Sequence, residues 1–326
     1  MPATRCCSGA WHQFSETQIV KILLTGGSGM VGSAILRAAS GSALQFHAPL
    51  RADLDLCSAA TVASHLRSGG FDAVLHCAGR VGGIQANIGA PYGFLHDNSR
   101  INLGVIEGAL QAGVQRLLYL GTSCMYPRDH RQPLCEDDLL AAKLEPTNEG
   151  YAVAKILGAK LCELANMQHG VTYKTLIPPN LYGPGDHFSP ERSHLVAAVL
   201  HKLHVANRDG EDEVEVWGDG SARREFLFCE DLAEYCLVAL QRLDDLPDYL
   251  NVGCGQDHSV LEYYQAAASV VGFEGSFSFD LSKPPGMRRK LLDSSRAAAF
   301  GWQPGTDLTH GLQRTYRWYL EHVESS

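Results

Sequence analysis

The feature that most restricts how this chain can fold is a run of glycines lodged between a strand and a helix. Val20-Lys-Ile-Leu-Leu-Thr25 has the short, continuous apolar character of a buried strand. It breaks at Gly26-Gly27-Ser28-Gly29, and a helical pattern follows from Met30 to Ala39. Gly26 permits the tight turn, Gly29 lets the backbone approach a pyrophosphate, and Gly32 lets the helix pack close to the sheet. The N–H groups and positive dipole end of the helix then face the phosphates. Gly26, Gly27, Ser28, Gly29, Met30, Val31 and Gly32 are therefore the expected dinucleotide-binding loop. A chain with 33 glycines shows such spacing by accident; the place between first strand and first helix gives this one its meaning.

The pattern beyond the loop alternates. Strands are predicted at Leu44 to Leu50, Ala73 to Cys77, Arg116 to Leu120 and 172–177. Helices are predicted at Ala59 to Arg67, Asn98 to Ala112, 151–168 and 194–204. Such alternation implies an α/β chain built on a Rossmann-type doubly wound parallel sheet. A length of 326 residues leaves room for a smaller C-terminal α/β substrate domain. Pro178, Pro179, Gly183, Pro184, Gly185 and Pro190 crowd the expected loop between the two. We expect a disordered extension at 1–18, a mainly cofactor-binding Rossmann domain at 19–180, and a mainly substrate-binding domain at 181–326. Some segments of the last are expected to return to the sheet.

Composition excludes several classes. A chain 45% hydrophobic and 19% charged is neither disordered nor collagen-like. No apolar run reaches the roughly 18 residues of a membrane span, and the first residues lack a secretory apolar core. A net charge of −9 opposes nucleic acid and anionic membrane as partners. None of the ten cysteines forms a CxxC pair, which excludes a zinc ribbon or thioredoxin motif and points to reduced thiols in the cytoplasm.

Two further motifs carry chemistry. The second strand ends without an acid and then gives Arg51, a guanidinium suited to a 2′-phosphate and hence to NADP(H). The alternative is a solvated Arg51, with Asp53 taking the ribose of NAD. Tyr151-Ala-Val-Ala-Lys155 places a phenol and an ammonium on one helix face. A cation there is expected to lower the phenol from its ordinary pKa of about 10. Thr122 and Ser123 lie at the end of the fourth strand, where open α/β sheets bind ligands, and could hold a carbonyl oxygen against Tyr151.

Glycine loop, strand-end hydroxyl and YxxxK in this order resemble the extended type of the short-chain dehydrogenase/reductase superfamily, from about residue 20 to residue 320. Arg224-Glu-Phe-Leu-Phe-Cys-Glu-Asp231 and Asn251-Val-Gly-Cys-Gly255 are similar to signatures of its nucleotide-sugar branch. More specific motifs resemble the GDP-L-fucose synthase family. They are Val81-Gly-Gly-Ile84, Thr122-Ser-Cys-Met-Tyr-Pro127, Glu145-Pro-Thr-Asn-Glu-Gly-Tyr151, Pro179-Asn-Leu-Tyr-Gly-Pro184 and Ser193-His194. Ser282-Lys-Pro-Pro-Gly286 and Arg289-Lys-Leu-Leu-Asp293 join them.

That resemblance implies epimerisation at C3 and C5 of GDP-4-keto-6-deoxy-D-mannose, then reduction of its C4 ketone by NADPH. It implies Cys124 and His194 as the acid/base pair, with Tyr151 and Thr122 on the C4 oxygen. Lys155 would bind the nicotinamide ribose and bias Tyr151. Leu120, Gly121, Thr122, Pro178, Asn180, Leu181 and His194 would join the cofactor site. Ser123, Lys202, Trp217, Arg224 and Arg289 would face the GDP-sugar. No metal is implied, and a homodimer is. Departures are Thr122 for the usual Ser, Gly150 before the Tyr, the 185–190 loop without its usual His, and Pro285 where Asp is common.

Other readings stay open. Cys124 is otherwise a small buried hydrophobe, His187 competes with His194, and Arg288-Arg289-Lys290 reads equally as a solvated charge run. The rival functions are a 4-epimerase or 4,6-dehydratase that retains NAD, or a catalytically silent nucleotide-binding scaffold on the same fold.

Overall fold

The computed structural model describes residues 20–189, 193–282 and 287–324. The expected extension at 1–18, Pro190 and Pro285 lie outside the described residues.

The chain opens β1 (Val20–Thr25), α1 (Met30–Ala38), β2 (Leu44–His47), α2 (Ala59–Gly69) and β3 (Ala73–His76). It continues α3 (Ile84–Gly89), α4 (Pro91–Ala112), β4 (Arg116–Leu120), α5 (Glu149–His169) and β5 (Thr172–Ile177). Next come β6 (Asn180–Tyr182), α6 (Leu195–Asp209), β7 (Glu213–Trp217), β8 (Arg223–Arg224), β9 (Phe226–Phe228) and α7 (Cys229–Gln241). Then follow β10 (Tyr249–Asn251), β11 (His258–Ser259), α8 (Val260–Val271), β12 (Ser276–Asp280), β13 (Arg289–Lys290), α9 (Ser295–Ala298) and α10 (Leu308–Tyr319).

Six strands form one parallel sheet in the order β10-β5-β4-β3-β1-β2. Its central strands are apolar because both faces are covered. Strand alternation sends Ile22, Leu24 and Leu118 into one core, with Ile35 of α1 and Leu232 and Cys236 of α7. Leu23, Val74 and Leu117 face the other way, into Val62 and Leu66 of α2, Val105 of α4 and Cys162 of α5. This is the doubly wound α/β sheet expected from the alternation.

Element edges differ from the sequence reading in instructive ways. β2 stops at His47 rather than Leu50, because Pro49 has no N–H to offer a ladder. α4 starts at Pro91, seven residues before Asn98, with proline at its first helical position. α3 was not anticipated from the sequence, and α6 runs on to Asp209.

After β6 a second core forms from α6, α8 and α10, with Leu200, Val216, Tyr263, Leu312 and Tyr319 buried together. β7 and β12 pair in parallel beside it, and β8 lies between β11 and β13. β10 nonetheless belongs to the large sheet, so the chain returns to the first core between the segments that build the second. Among the described residues no helix is long and apolar enough to cross a membrane, and no cluster of His, Cys, Asp and Glu could hold a metal.

Candidate active site

The glycine loop sits at the C-terminal end of β1. Gly26 adopts a φ of +76° and lies so close to the loop after β3 that an added Cβ would stand 2.8 Å from the Ala78 nitrogen. At Gly32 a Cβ would stand 2.2 Å from the Gly26 carbonyl oxygen, so α1 meets the loop with no side chain between. Gly27 is buried, Met30 and Val31 are half-buried, and Ser28 and Gly29 are exposed at the tip. No side chain caps the start of α1, which leaves its first N–H groups for a ligand. A dinucleotide pyrophosphate fits this cradle.

Arg51 is exposed in the turn after β2. Asp53 is turned back on its own loop, where its carboxylate accepts from the Leu50 N–H at 3.3 Å. That leaves Arg51 as the freer ligand for a ribose substituent.

Beneath the loop lies a buried polar chain that sequence reasoning missed. Thr25 Oγ1 meets His76 Nδ1 at 2.7 Å, and His76 Nε2 meets Asn102 Oδ1 at 3.1 Å. The Asn102 amide then donates to Tyr119 Oη at 3.1 Å and to the Ala154 carbonyl at 2.8 Å. Burial pushes His76 down to about 3, so it stays neutral. The chain ties β1, β3, α4, β4 and α5 together under the site. Its only sequence signal was polar residues set inside apolar runs.

Tyr151 and Lys155 share a face of α5, as their spacing required. Lys155 is buried and donates to the Leu120 carbonyl at 2.8 Å. Its ammonium stands 4.9 Å from the Tyr119 ring centroid and 6.0 Å from that of Tyr151. The expected lowering of the Tyr151 phenol is not found. Burial pushes its pKa up, and the Cys124 sulfur adds to the rise. Burial also brings Lys155 down to about 8. A protonated phenol is a proton donor, so the pair as it stands is set for acid rather than base work. Gly150 has a steric reason: a Cβ there would lie 2.5 Å from the Pro91 carbonyl oxygen, where α5 crosses the start of α4.

Two backbone bonds fix the loop after β4. Gly121 N–H donates to the Leu176 carbonyl and Ser123 N–H to the Pro178 carbonyl, each at 2.8 Å. Thr122 caps the next turn through its hydroxyl, which accepts from the Cys124 N–H at 3.3 Å. The Ser123 hydroxyl is buried without a hydrogen-bond partner among the described residues. Cys124 is half-buried, and two donors reach its sulfur: the Asn148 amide at 3.3 Å and the Lys290 ammonium at 3.5 Å. Asn180 and Leu181 open β6, half-buried, just past the buried Pro178.

His194 sits at the start of α6, half-buried. Its pKa is lowered by burial first, then by the positive charges of Lys290 and His187. His187 itself is exposed. Lys290 therefore stands by both Cys124 and His194.

The candidate nucleotide ligands divide. Lys202 donates to the Glu215 carbonyl, and the Trp217 indole N–H donates to the Glu215 carboxylate at 3.2 Å, so both gather at β7. Trp217 leaves about half its surface, 52%, exposed. The Arg224 guanidinium donates to the Arg223 carbonyl at 2.8 Å; burial lowers its pKa against the opposing charges of Glu145 and Cys124. Arg289 is bound to the Asp257 carboxylate, which also holds Arg223 at 3.1 Å. β13 thus turns Arg289 outward and buries Lys290, the last of the three cations that read equally as a solvated run.

The profile of the NAD dependent epimerase/dehydratase family matches residues 22–253. A GDP-L-fucose synthase of Azorhizobium caulinodans is 46% identical, with 92% of this chain and 96% of that protein covered. A GDP-L-colitose synthase of Yersinia pseudotuberculosis is 43% identical, covering 92% and 98%. The solved structure of a GDP-mannoheptose C4 reductase from Campylobacter jejuni with NADP bound has a TM-score of 0.82 and 30% identity, over 92% and 98% of the two chains. A profile match across both strands of chemistry, and relatives matched over nearly their whole length, lead to one placement. The chain belongs to the NAD dependent epimerase/dehydratase family, on the GDP-L-fucose synthase branch of the extended short-chain dehydrogenases/reductases.

Proposed function

We propose that this protein inverts C3 and C5 of GDP-4-keto-6-deoxy-D-mannose and then reduces its C4 ketone with NADPH, releasing GDP-L-fucose. The observation that carries the reading is the meeting of two kinds of acid/base group at one strand end. The Tyr151/Lys155 pair of a carbonyl reductase stands beside Cys124, a thiol held by Asn148 and Lys290.

The chemistry follows from the substrate. A carbon next to a ketone has an acidic C–H bond, and inverting it needs a base on one face and an acid on the other. Cys124 and His194 are our assignment for that exchange. The enolate oxygen formed between them needs donors already in place. Tyr151, protonated, and the Thr122 and Ser123 hydroxyls supply them. NADPH supplies a hydride to C4 when bound, and Tyr151 then gives its proton to the C4 oxygen. Lys155 would hold the nicotinamide ribose. The Gly26–Gly32 loop, with Leu120, Gly121, Pro178, Asn180 and Leu181, would line the cofactor site. Lys202, Trp217, Arg224 and Arg289 remain our assignment for the GDP-sugar, with Arg289 required to share its charge with Asp257.

We infer NADP(H) rather than NAD from Arg51 exposed and Asp53 occupied by its own loop. We infer a homodimer through α4 and α5, whose outer faces expose Leu103, Val153, Leu164 and Met167. We place the division between cofactor and substrate domains near residue 180, and the protein in the cytoplasm.

The test is NADPH consumption by purified protein with GDP-4-keto-6-deoxy-D-mannose, NADH run in parallel, and the sugar product identified. GDP-L-fucose as product supports the reading. The likeness to a GDP-L-colitose synthase favours a second one, in which the sugar product is GDP-L-colitose. Silence with every substrate and release of NAD on denaturation would favour a cofactor-retaining epimerase. Arg51→Ala is expected to raise KM for NADPH about tenfold or more and leave KM for NADH nearly unchanged; an equal effect on both removes its 2′-phosphate role.

A further inference from the structure

Lys290 is a buried ammonium with an unusual neighbour. Only 9% of the residue is exposed, and among the described residues no carboxylate pairs with it. Burying such a charge is costly unless something answers it. What answers it is the Cys124 sulfur, 3.5 Å from Nζ. The same sulfur accepts from the Asn148 amide at 3.3 Å.

The backbone around Lys290 is fixed on both sides. Its carbonyl accepts from the Glu225 N–H at 3.2 Å. The next two N–H groups donate at 2.9 Å, Leu291 to the Gln132 amide oxygen and Leu292 to the Glu225 carboxylate. Register with β8 places Lys290 opposite Arg224, while the alternating side chain, Arg289, goes out to Asp257. The ammonium is thus delivered to the sulfur by a held strand rather than a mobile tail.

We propose that Lys290, together with Asn148, is a positioning residue for epimerisation: its ammonium and the Asn148 amide hold the Cys124 sulfur in place and stabilise the negative charge on it during the proton exchange. The proposal rests on the reading above, in which Cys124 exchanges substrate protons. A thiolate is the form that can take a proton from carbon, and a nearby ammonium favours it. In the step itself the C–H bond breaks, its proton goes to Sγ and the electron pair moves to the enolate oxygen. The proton added to the opposite face is relayed from solvent through His194, which is left as the neutral imidazole that its lowered pKa favours. The other groups whose charge bears on Cys124 are Tyr151, Lys155 and Arg224. His187 is the other one bearing on His194.

The experiment uses the full chain with Lys290→Met, Lys290→Arg and Cys124→Ser. Two readouts are taken: solvent deuterium entering C3 and C5 of the substrate, and the pH dependence of iodoacetamide alkylation at Cys124, mapped by peptide mass. Lys290→Met is expected to slow deuterium entry by about 10- to 100-fold and to move the alkylation profile to higher pH. Lys290→Arg is expected to recover most of both. Lys290→Gln carries the same test should the methionine variant not fold. An unmoved alkylation profile in the charge-free variant, with deuterium entry retained, overturns the Lys290 proposal alone. Retained deuterium entry in Cys124→Ser overturns the acid/base reading beneath it.

Discussion

Asp186 is the residue whose environment most clearly predicts a measurable cost. It lies in the loop after β6, buried, with Oδ2 lacking a hydrogen-bond partner among the described residues and Oδ1 accepting the His187 N–H at 2.7 Å. Burial raises its pKa from 3.8 to about 7. Between those values the folded chain holds a proton that the unfolded chain has released. The contribution to stability is therefore complete below about 4 and is lost as pH rises through about 7. Glu225, raised by burial to about 7, acts in the same direction. Asp186→Asn removes one of these two groups. It is expected to stabilise the protein by roughly 1–3 kcal/mol at pH 8 and to flatten the fall in Tm between pH 5 and 8. Thermal melts across that range check it, and an unchanged slope would mean the carboxylate finds a partner in solution. At this same scale, Tyr151 and Lys155 were legible because their spacing of about one helical turn comes in order after the glycine loop and the strand-end hydroxyl. Lys290 was not legible. In a run of three cations, only the pleat of a two-residue strand decides which one turns inward.

At the scale of elements, the join of β1 and α1 is the least tolerant point in the fold. Gly32→Ala would set a methyl carbon 2.2 Å from the Gly26 carbonyl oxygen and 2.6 Å from the Gly27 Cα. Both neighbours are backbone, so relief requires α1 to move away from the loop. The variant is expected to lose about 1–3 kcal/mol of stability and to weaken NADP(H) binding at least about tenfold. Titration calorimetry and a melt on the same sample separate the two effects; full affinity in Gly32→Ala would show that the helix need not sit so close. The long parallel strands were readable because burial on both faces demands continuous apolar residues, as in Ile22-Leu23-Leu24. β8, β11 and β13 were not. Each has two residues, too few for any period, and they exist because Arg223, His258 and Arg289 are brought together by distant parts of the chain.

At the scale of the whole molecule, the question is whether the two cores are separable. Asn251 argues that they are not. It ends β10, fully buried, between the segments that build the second core, with α6 before it and α8 and α10 after it. Its side-chain oxygen accepts from the Tyr126 hydroxyl at 2.6 Å, and its amide donates to the carbonyls of Leu134 at 2.9 Å and Asp293 at 3.1 Å. Its backbone N–H donates to the Glu136 carboxylate at 2.9 Å. One residue thus joins the last strand of the large sheet, the loop that carries Cys124 and the segment that carries Lys290. The active-site groups come from both ends of this junction, so the chemistry depends on it. Asn251→Leu keeps the volume but strands the Tyr126 hydroxyl and two carbonyls, at a cost of roughly 2–4 kcal/mol. If the cores are interlocked, calorimetry will show one transition in both proteins, shifted down in the variant, with reductase activity falling along the same curve. Two transitions in the variant, the first leaving NADP(H) binding intact, would mean that the sheet stands without the later residues and that β10 is an addition to it rather than a part.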